Sequence, residues 1–143
     1  MPLILKENFM SDLEKVKDFL DKAKVYYFTT VDGDKPKCRP FGFSMIEDGK
    51  LYFGTGTFKE CYKQILKNPN VEICAMGEGG FLRYYGKAKI VDDKTLSQKA
   101  LDSMPPIKKT YQEHGWKMGM FYLENATAEF RNMFGIDEKL SFS

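Results

Sequence analysis

The sequence predicts a mainly β (α+β) domain, an antiparallel sheet of about six strands that closes toward a barrel, with flanking helices. Its length of 143 residues suits one domain with a single core. Short stretches rich in aromatic and β-branched residues recur along the chain, which is typical of strands. Tight-turn sequences such as Asp32-Gly33-Asp34 and Gly77-Glu78-Gly79-Gly80 join several of them. A Rossmann domain is disfavoured, because no glycine-rich G-x-G-x-x-G motif follows a strand.

The composition narrows the classes of partner. The net charge is +2, from 22 basic and 20 acidic residues, so no strong attraction to nucleic acid or anionic membranes is expected. No run of about 20 apolar residues would span a membrane, and the N-terminal residues do not match a signal peptide. The cysteines, Cys38, Cys61 and Cys74, lack metal-ligand spacing. We therefore expect free thiols, no metal and a cytoplasmic location.

The first third of the chain predicts a helix followed by a hairpin. The helix runs from Ser11 to Lys24, where Ser11 and Glu14 form a capping box ahead of an apolar stripe. A buried strand follows at Val25–Val31, and a second strand at Pro36–Ile46. Pro36 and Pro40 indicate that this second strand lies at an edge or carries a bulge.

The stretch from Lys50 to Lys67 predicts a strand, a glycine turn and a helix. Leu51–Phe53 alternates as a pleated strand does, and the helix is expected to begin near Phe58. Thr57 stands at the expected N-cap position, with Glu60 three residues later, so a second capping box is predicted.

The same turn is a candidate anion site. A helix start next to flexible glycines presents backbone N–H groups and the positive end of the helix dipole, which suit a phosphate. Lys59 in the first turn adds a full positive charge. The alternative is a capped helix with an ordinary surface lysine, and this stretch alone favours that alternative.

The second half of the chain predicts three strands and one helix. They are Val71–Met76, Phe81–Val91, the helix Lys94–Ser103, and a strand within Gly119–Phe134. Bulges are expected at Gly86 and near Glu124-Asn125. Pro105-Pro106 is expected to end the helix, and the segment Ile107–Gly115 fits either helix or loop.

Three segments taken in order give the chain a family resemblance. They are Thr29–Phe43, Glu47–Ile73 and Gly79–Val91. In this order the sequence resembles the pyridoxamine 5′-phosphate oxidase-like family of flavin-binding split β-barrels. The resemblance implies a six-stranded antiparallel split β-barrel that binds flavin mononucleotide (FMN) at a homodimer interface.

The resemblance also implies a set of cofactor-binding residues. Those that would line the flavin or contact it through backbone or hydroxyl groups are Arg39, Pro40, Phe41, Gly42, Phe53, Gly54, Thr55 and Thr57. Lys59 would pair with the phosphate. Trp116 would stack near the flavin ring from the partner subunit, and its alternative role is in the core or the dimer interface. For Arg39 the alternative is a surface charge on a strand.

The match does not extend to the substrate pattern of the true oxidase. The family's Arg-x-His pattern is absent, and Glu129-Phe130-Arg131 occupies the C-terminal strand instead. The single histidine, His114, lies in the weakly patterned segment and has no Asp or Ser at triad spacing. Oxidation of pyridoxamine phosphate is therefore not expected, and no catalytic residue is assigned.

The first functional hypothesis is an FMN-dependent oxidoreductase that acts on an unidentified small molecule, with a reduced nicotinamide cofactor as candidate electron donor. The alternative is a non-catalytic flavin- or haem-binding protein of the same fold, of the stress-response or nitro-compound-resistance type. Haem would need an axial ligand, for which the chain offers only His114, the cysteines, the methionines and the tyrosines. A structural or nucleic-acid-binding barrel is a third possibility, which the near-neutral charge disfavours.

Overall fold

The computed structural model describes residues 10–143, and in them one eight-stranded sheet carries four helices. The strands are β1 Tyr26–Asp32, β2 Lys35–Phe41, β3 Met45–Glu47, β4 Lys50–Gly56, β5 Asn70–Gly77, β6 Gly80–Val91, β7 Met118–Asn132 and β8 Gly135–Ser141. The helices are α1 Asp12–Ala23, α2 Glu60–Lys67, α3 Lys94–Asp102 and α4 Pro105–His114. The strand pairs are antiparallel, and the sheet stays open between its ends, as in a split barrel. The predicted fold class is confirmed.

The sheet runs in the order β2-β1-β5-β6-β7-β4-β3, and β7 connects its two halves. This 15-residue strand pairs with β6 along most of its length, with β4 near its start and with β8 near its end. The β6–β7 register shifts between Tyr85 and Lys87, opposite Asn125, whose φ is +49°. The bulges predicted at Gly86 and near Glu124-Asn125 are confirmed.

The core lies inside the curved sheet and is rich in aromatic rings. Phe28, Phe53 and Phe121 are fully buried, and the rings of Phe28 and Phe121 stack with centroids 5.4 Å apart. Helix α1 covers this core with Val16 and Leu20, which are 0% and 1% exposed. Each such side chain stabilises the fold by roughly 1.5–3 kcal/mol through burial. The capping box of Ser11 and Glu14 at the start of α1 is confirmed.

The predicted capping box at Thr57 is wrong. Strand β4 continues to Gly56, so the glycines expected in a turn instead pair with β7. The Thr57 N–H donates to the Lys117 carbonyl at 2.9 Å, which prolongs this pairing. Helix α2 consequently begins at Glu60, with Lys59 as its N-cap residue and no side-chain cap.

Other differences arise where the chain changes partners. The predicted strand Pro36–Ile46 is divided into β2 at the sheet edge, as its prolines predict, and β3, which pairs with β4. Pro105-Pro106 begins α4 rather than only ending α3, because proline fits the first turn of a helix. The strand β8, which is mostly exposed and carries three charged residues among its seven, is an addition to the predicted strands. The sheet therefore has eight strands rather than six.

Candidate functional site

A pocket of about 460 Å³ lies where β2, β4, α2 and α4 meet. This volume falls within the range of small-molecule sites. Its lining combines charged groups at the start of α2 with apolar side chains from α4 and β7. The lining residues are Arg39, Pro40, Phe41, Gly42, Phe43, Gly54, Thr55, Lys59, Glu60, Cys61, Met104, Ile107, Tyr111 and Met118.

Arg39 projects from β2 and is held by neutral acceptors. Its Nη1 donates to Thr30 Oγ1 at 2.9 Å, and its Nη2 donates to Gln64 Oε1 at 3.0 Å. Nη1 also donates to the Lys37 carbonyl at 3.0 Å. No ion pair within residues 10–143 includes Arg39. The guanidinium is therefore fixed in place while its charge is not neutralised by a carboxylate.

A second positive group lies at the start of α2. Lys59 is exposed, lines the pocket, and forms no ion pair in the part of the chain that the structure describes. The Tyr62 N–H already donates to the Lys59 carbonyl at 3.1 Å, but no side chain caps α2, so the N–H groups of Glu60 and Cys61 have no partner within residues 10–143. The positive end of the helix dipole adds to the field there. This end of the pocket is suited to an anion such as a phosphate.

Cys61 and Thr55 line the same pocket as the two cations. They are 5% and 4% exposed. Burial raises the pKa of the Cys61 thiol, and the positive charges of Arg39 and Lys59 together with a hydrogen bond to Thr55 only partly offset this. Cys61 is accordingly a protonated thiol at neutral pH, so it serves as a wall of the pocket and not as a thiolate nucleophile.

The structure brings seven of the predicted cofactor-binding residues together. They are Arg39, Pro40, Phe41, Gly42, Gly54, Thr55 and Lys59. Phe53 is fully buried and packs against Phe121 at 5.8 Å in the core, so its side chain does not reach the pocket.

Two predicted residues lie elsewhere. Thr57 and Trp116 line a neighbouring pocket of about 340 Å³ against α3 and β7. Trp116 is stacked between Phe58 and His114, with centroids 4.2 and 4.1 Å away. Both faces of the indole are covered within this chain, so they are closed to a ligand ring.

Sequence reasoning missed the contribution of α4. Ile107 and Tyr111, one helical turn apart, face the pocket together with Met104. Burial raises the pKa of the Tyr111 hydroxyl, and a backbone hydrogen bond from Gly56 opposes that rise. A signal was present, since Pro105-Pro106 marks a helix start and Ile107 with Tyr111 has helical spacing. Nothing local indicated that this helix packs against β2 and β4.

The pocket offers few groups for proton transfer. His114 is exposed, does not line it, and donates from Nδ1 to the Thr110 carbonyl at 2.9 Å. Glu60, the one carboxylate among the lining residues, pairs with Lys63 at 3.3 Å. Within residues 10–143 no cluster of His, Cys, Asp or Glu is placed to hold a metal ion. None of the described helices is long and apolar enough to cross a membrane.

A larger cleft of about 1000 Å³ lies between α1, the β5–β6 turn and β8. Four of its charged side chains form ion pairs, since Lys15 pairs with Glu138 at 3.1 Å and Lys22 with Asp18 at 2.9 Å. The smaller pocket is the better candidate site, because within residues 10–143 neither Arg39 nor Lys59 pairs with a carboxylate and the start of α2 adds free backbone donors beside them.

Comparison with protein families agrees with this geometry. The family profile described as pyridoxamine 5′-phosphate oxidase matches residues 13–126, which include every residue that lines the pocket. The chain belongs to the pyridoxamine 5′-phosphate oxidase-like family. The family resemblance inferred from the sequence is confirmed, and no curated protein gives a significant match.

Solved structures of other proteins share the architecture. A NimC/NimA family protein from Clostridium acetobutylicum is 29% identical, with a TM-score of 0.82 over 93% of this chain and 95% of that one. General stress protein 26 from Bacillus anthracis is 22% identical, with a TM-score of 0.66 over 93% and 100%. An FAD-binding protein from Mesorhizobium loti is 17% identical, with a TM-score of 0.58 over 83% and 94%. The last two establish likeness of fold alone.

Proposed function

We propose that this protein binds FMN in the pocket between β2, β4, α2 and α4, and uses it as an oxidoreductase on a small molecule. One observation carries the proposal. Arg39 and Lys59, which pair with no carboxylate in the part of the chain that the structure describes, line the same pocket as the uncapped start of α2 and a set of apolar side chains.

The donor set at that end suits a phosphate monoester. A guanidinium, an ammonium group and free backbone N–H groups together supply charge-assisted hydrogen bonds. Arg39 is already oriented by Thr30 and Gln64, so little side-chain freedom is lost when it binds an anion. The buried Thr55 also lines the pocket, and its hydroxyl is hydrogen-bonded with Cys61, whose thiol lies within the field of both cations.

The rest of the pocket suits a flat, largely apolar ring. The end of β2 and the residue after it, Pro40–Gly42, line the pocket, as do the apolar side chains of Met104, Ile107 and Met118. A bound flavin would supply the hydride or electron transfer that the side chains of this pocket do not. The protein's part would be to hold the ring, exclude water and fix its distance to the substrate.

The single cationic end favours FMN over FAD, since a second phosphate and an adenosine would need further room and donors. The FAD-binding relative from Mesorhizobium loti supports flavins as the ligand class. We take a reduced nicotinamide cofactor as the candidate electron donor. Anaerobic mixing of the flavin-loaded protein with NADH or NADPH tests this.

A non-catalytic flavin carrier is the second candidate. It is favoured because the pocket lining holds no histidine and no unpaired carboxylate, since Glu60 is ion-paired and His114 lies outside the pocket. Haem is less well supported. Cys61 lines the pocket, but burial keeps its thiol protonated, whereas an axial cysteine ligand must be a thiolate.

We also propose that a second copy of the chain completes the site. Ile107, which lines the pocket, is an apolar side chain that is 41% exposed. Phe58, whose ring meets that of the pocket residue Tyr111, is 38% exposed. A homodimer that covers these side chains would exclude water from the ring.

The test begins with the visible spectrum of the purified protein. A yellow preparation that releases FMN on denaturation is expected, and a Soret band would instead favour haem. A colourless protein that binds no flavin on titration would overturn the proposal.

Lys59→Ala then tests the phosphate end. We expect its affinity for FMN to fall by about 10- to 100-fold, the worth of a hydrogen bond to a charged group, with little change for riboflavin, which lacks the phosphate. Lys67→Ala, in the last turn of the same helix, is the matched control and is expected to bind like wild type. Unchanged FMN affinity in Lys59→Ala would remove this lysine from the phosphate site.

A further inference from the structure

Three stacked rings lie beside the pocket without lining it. Trp116 is sandwiched between Phe58, with an interplanar angle of 26°, and His114, with an angle of 17°. Tyr111, which does line the pocket, meets Trp116 edge-on at 5.7 Å. His114 is held in the stack by the hydrogen bond from its Nδ1 to the Thr110 carbonyl. Because its central ring is covered on both faces, the stack joins chain segments rather than binding a ligand.

One of the joined segments is the end of α4. Gly115 has a φ of +68°, and its N–H donates to the Gln112 carbonyl at 3.3 Å. The Trp116 N–H donates to the Tyr111 carbonyl at 2.9 Å. This pair of bonds is the Schellman motif, which reverses the chain and folds Trp116 back onto the last turn of the helix.

The other segment is the turn from Gly56 to Lys59, which carries the proposed phosphate-binding lysine. Its ends are tied, since Thr57 N–H donates to the Lys117 carbonyl at 2.9 Å and Lys59 N–H donates to the Gly56 carbonyl at 3.0 Å. Phe58 enters the stack, whereas Lys59 lines the pocket. Phe58 and Lys59 are neighbours in the chain, but the first side chain packs in the aromatic stack and the second faces the pocket.

We infer that the stack of Phe58, Trp116 and His114 is a positioning device for Lys59. By fixing the Phe58 ring it fixes the backbone of the turn, and so it sets where the Lys59 ammonium group stands relative to the pocket. Trp116 acts here through the turn, not as a flavin-stacking residue. This inference rests on the proposed phosphate site and adds to it the residues on which its geometry depends.

The test compares affinities for FMN and riboflavin. Phe58→Leu and Trp116→Leu are expected to lose about tenfold in FMN affinity, from the loss of aromatic pair contacts, while riboflavin affinity stays within about twofold of wild type. Phe58→Tyr and Trp116→Phe keep a ring and are expected to retain FMN binding. Leu66→Ala, an exposed position on α2, is the matched control and is expected to leave both affinities unchanged.

The outcomes separate the two proposals. If wild-type protein binds no flavin, the proposed function fails. If FMN binds and Lys59→Ala weakens it, but the leucine variants match wild type or lose both ligands equally, the positioning role is refuted.

A second measurement needs no change to the stack. Trp116 is the only tryptophan, so its emission reports on the stack alone, and inorganic phosphate does not absorb that emission. Titration of wild-type protein with inorganic phosphate is expected to give a saturable emission change that Lys59→Ala lacks. Phosphate that displaces FMN but leaves the emission unaltered would overturn the inference.

Discussion

Gly56→Ala is expected to destabilise the protein through the same aromatic stack. A Cβ at this position would lie 2.4 Å from Phe58 Cε1 and 2.8 Å from the Tyr111 hydroxyl oxygen, both well inside van der Waals contact. The Phe58 ring must move by about 1 Å to relieve the overlap, which disturbs its stacking on Trp116. Overpacking of this kind costs about 1–3 kcal/mol, and the lower entropy of the unfolded alanine chain returns about 0.4–1 kcal/mol.

The net loss of about 1–2 kcal/mol corresponds to a fall in Tm of roughly 2–8 °C for a domain of this size. Urea denaturation followed by far-UV circular dichroism measures it, and Trp116 fluorescence follows the stack in the same samples. Gly135→Ala is the matched control, because nothing lies within 4 Å of its would-be Cβ and its φ is not positive. A Gly56→Ala variant as stable as wild type, with unchanged Trp116 emission, would refute this account of the turn.

Two further predictions concern the pH dependence of stability and the oligomeric state. Hydrogen bonds from the Tyr85 hydroxyl and from Arg131 hold the pKa of the Glu129 carboxyl below its ordinary value. The charged carboxylate therefore stabilises the fold fully at a pH above the ordinary pKa. This stabilisation is lost as the pH falls through the lowered pKa of the folded state. Glu129→Gln should therefore lower Tm at pH 7 but much less at pH 3, and an equal gap at both would contradict this cause. Sedimentation of the FMN-loaded protein should give roughly twice the 16.5 kDa mass of the chain; a stable flavin-loaded monomer would rule out a site shared between subunits.

The two cations of the pocket could be predicted once the family resemblance was combined with the local sequence. Arg39 stands on a strand marked by prolines, and Lys59 follows a glycine-containing stretch ahead of a helical pattern. Both line the one pocket, as the resemblance implied. The family resemblance supplied this prediction, because the stretch around Lys59 alone favours an ordinary surface lysine and Arg39 alone fits a surface charge on a strand.

The cap at Thr57 shows where local rules fail. Its sequence fits a capping box, but pairing with β7, about 60 residues later, takes its backbone N–H into the sheet. The helix then starts at Glu60, and the uncapped start is what leaves backbone donors free. The competing interaction was long-range, so no window around Thr57 could reveal it.

Phe53 illustrates a different limit. The alternation of Leu51 and Phe53 predicts a strand with these two side chains on its buried face, and both are buried. The intervening Tyr52, however, is also only 7% exposed. Helix α3 and β7 supply a second apolar cluster on that face, so β4 is covered on both sides. Period-2 patterning detects a strand but does not tell whether its other face meets solvent.

The position of β2 has a consequence for how the protein behaves at high concentration. This strand forms one wall of the pocket and one free margin of the sheet. Pro36, Cys38 and Pro40 occupy alternate positions on it, and the two prolines have no N–H, so among these three residues only Cys38 keeps a backbone donor. A strand from another molecule would find too few partners to extend the sheet there. A wall of the pocket can thus lie at the margin of the sheet without favouring open-ended self-association through that edge.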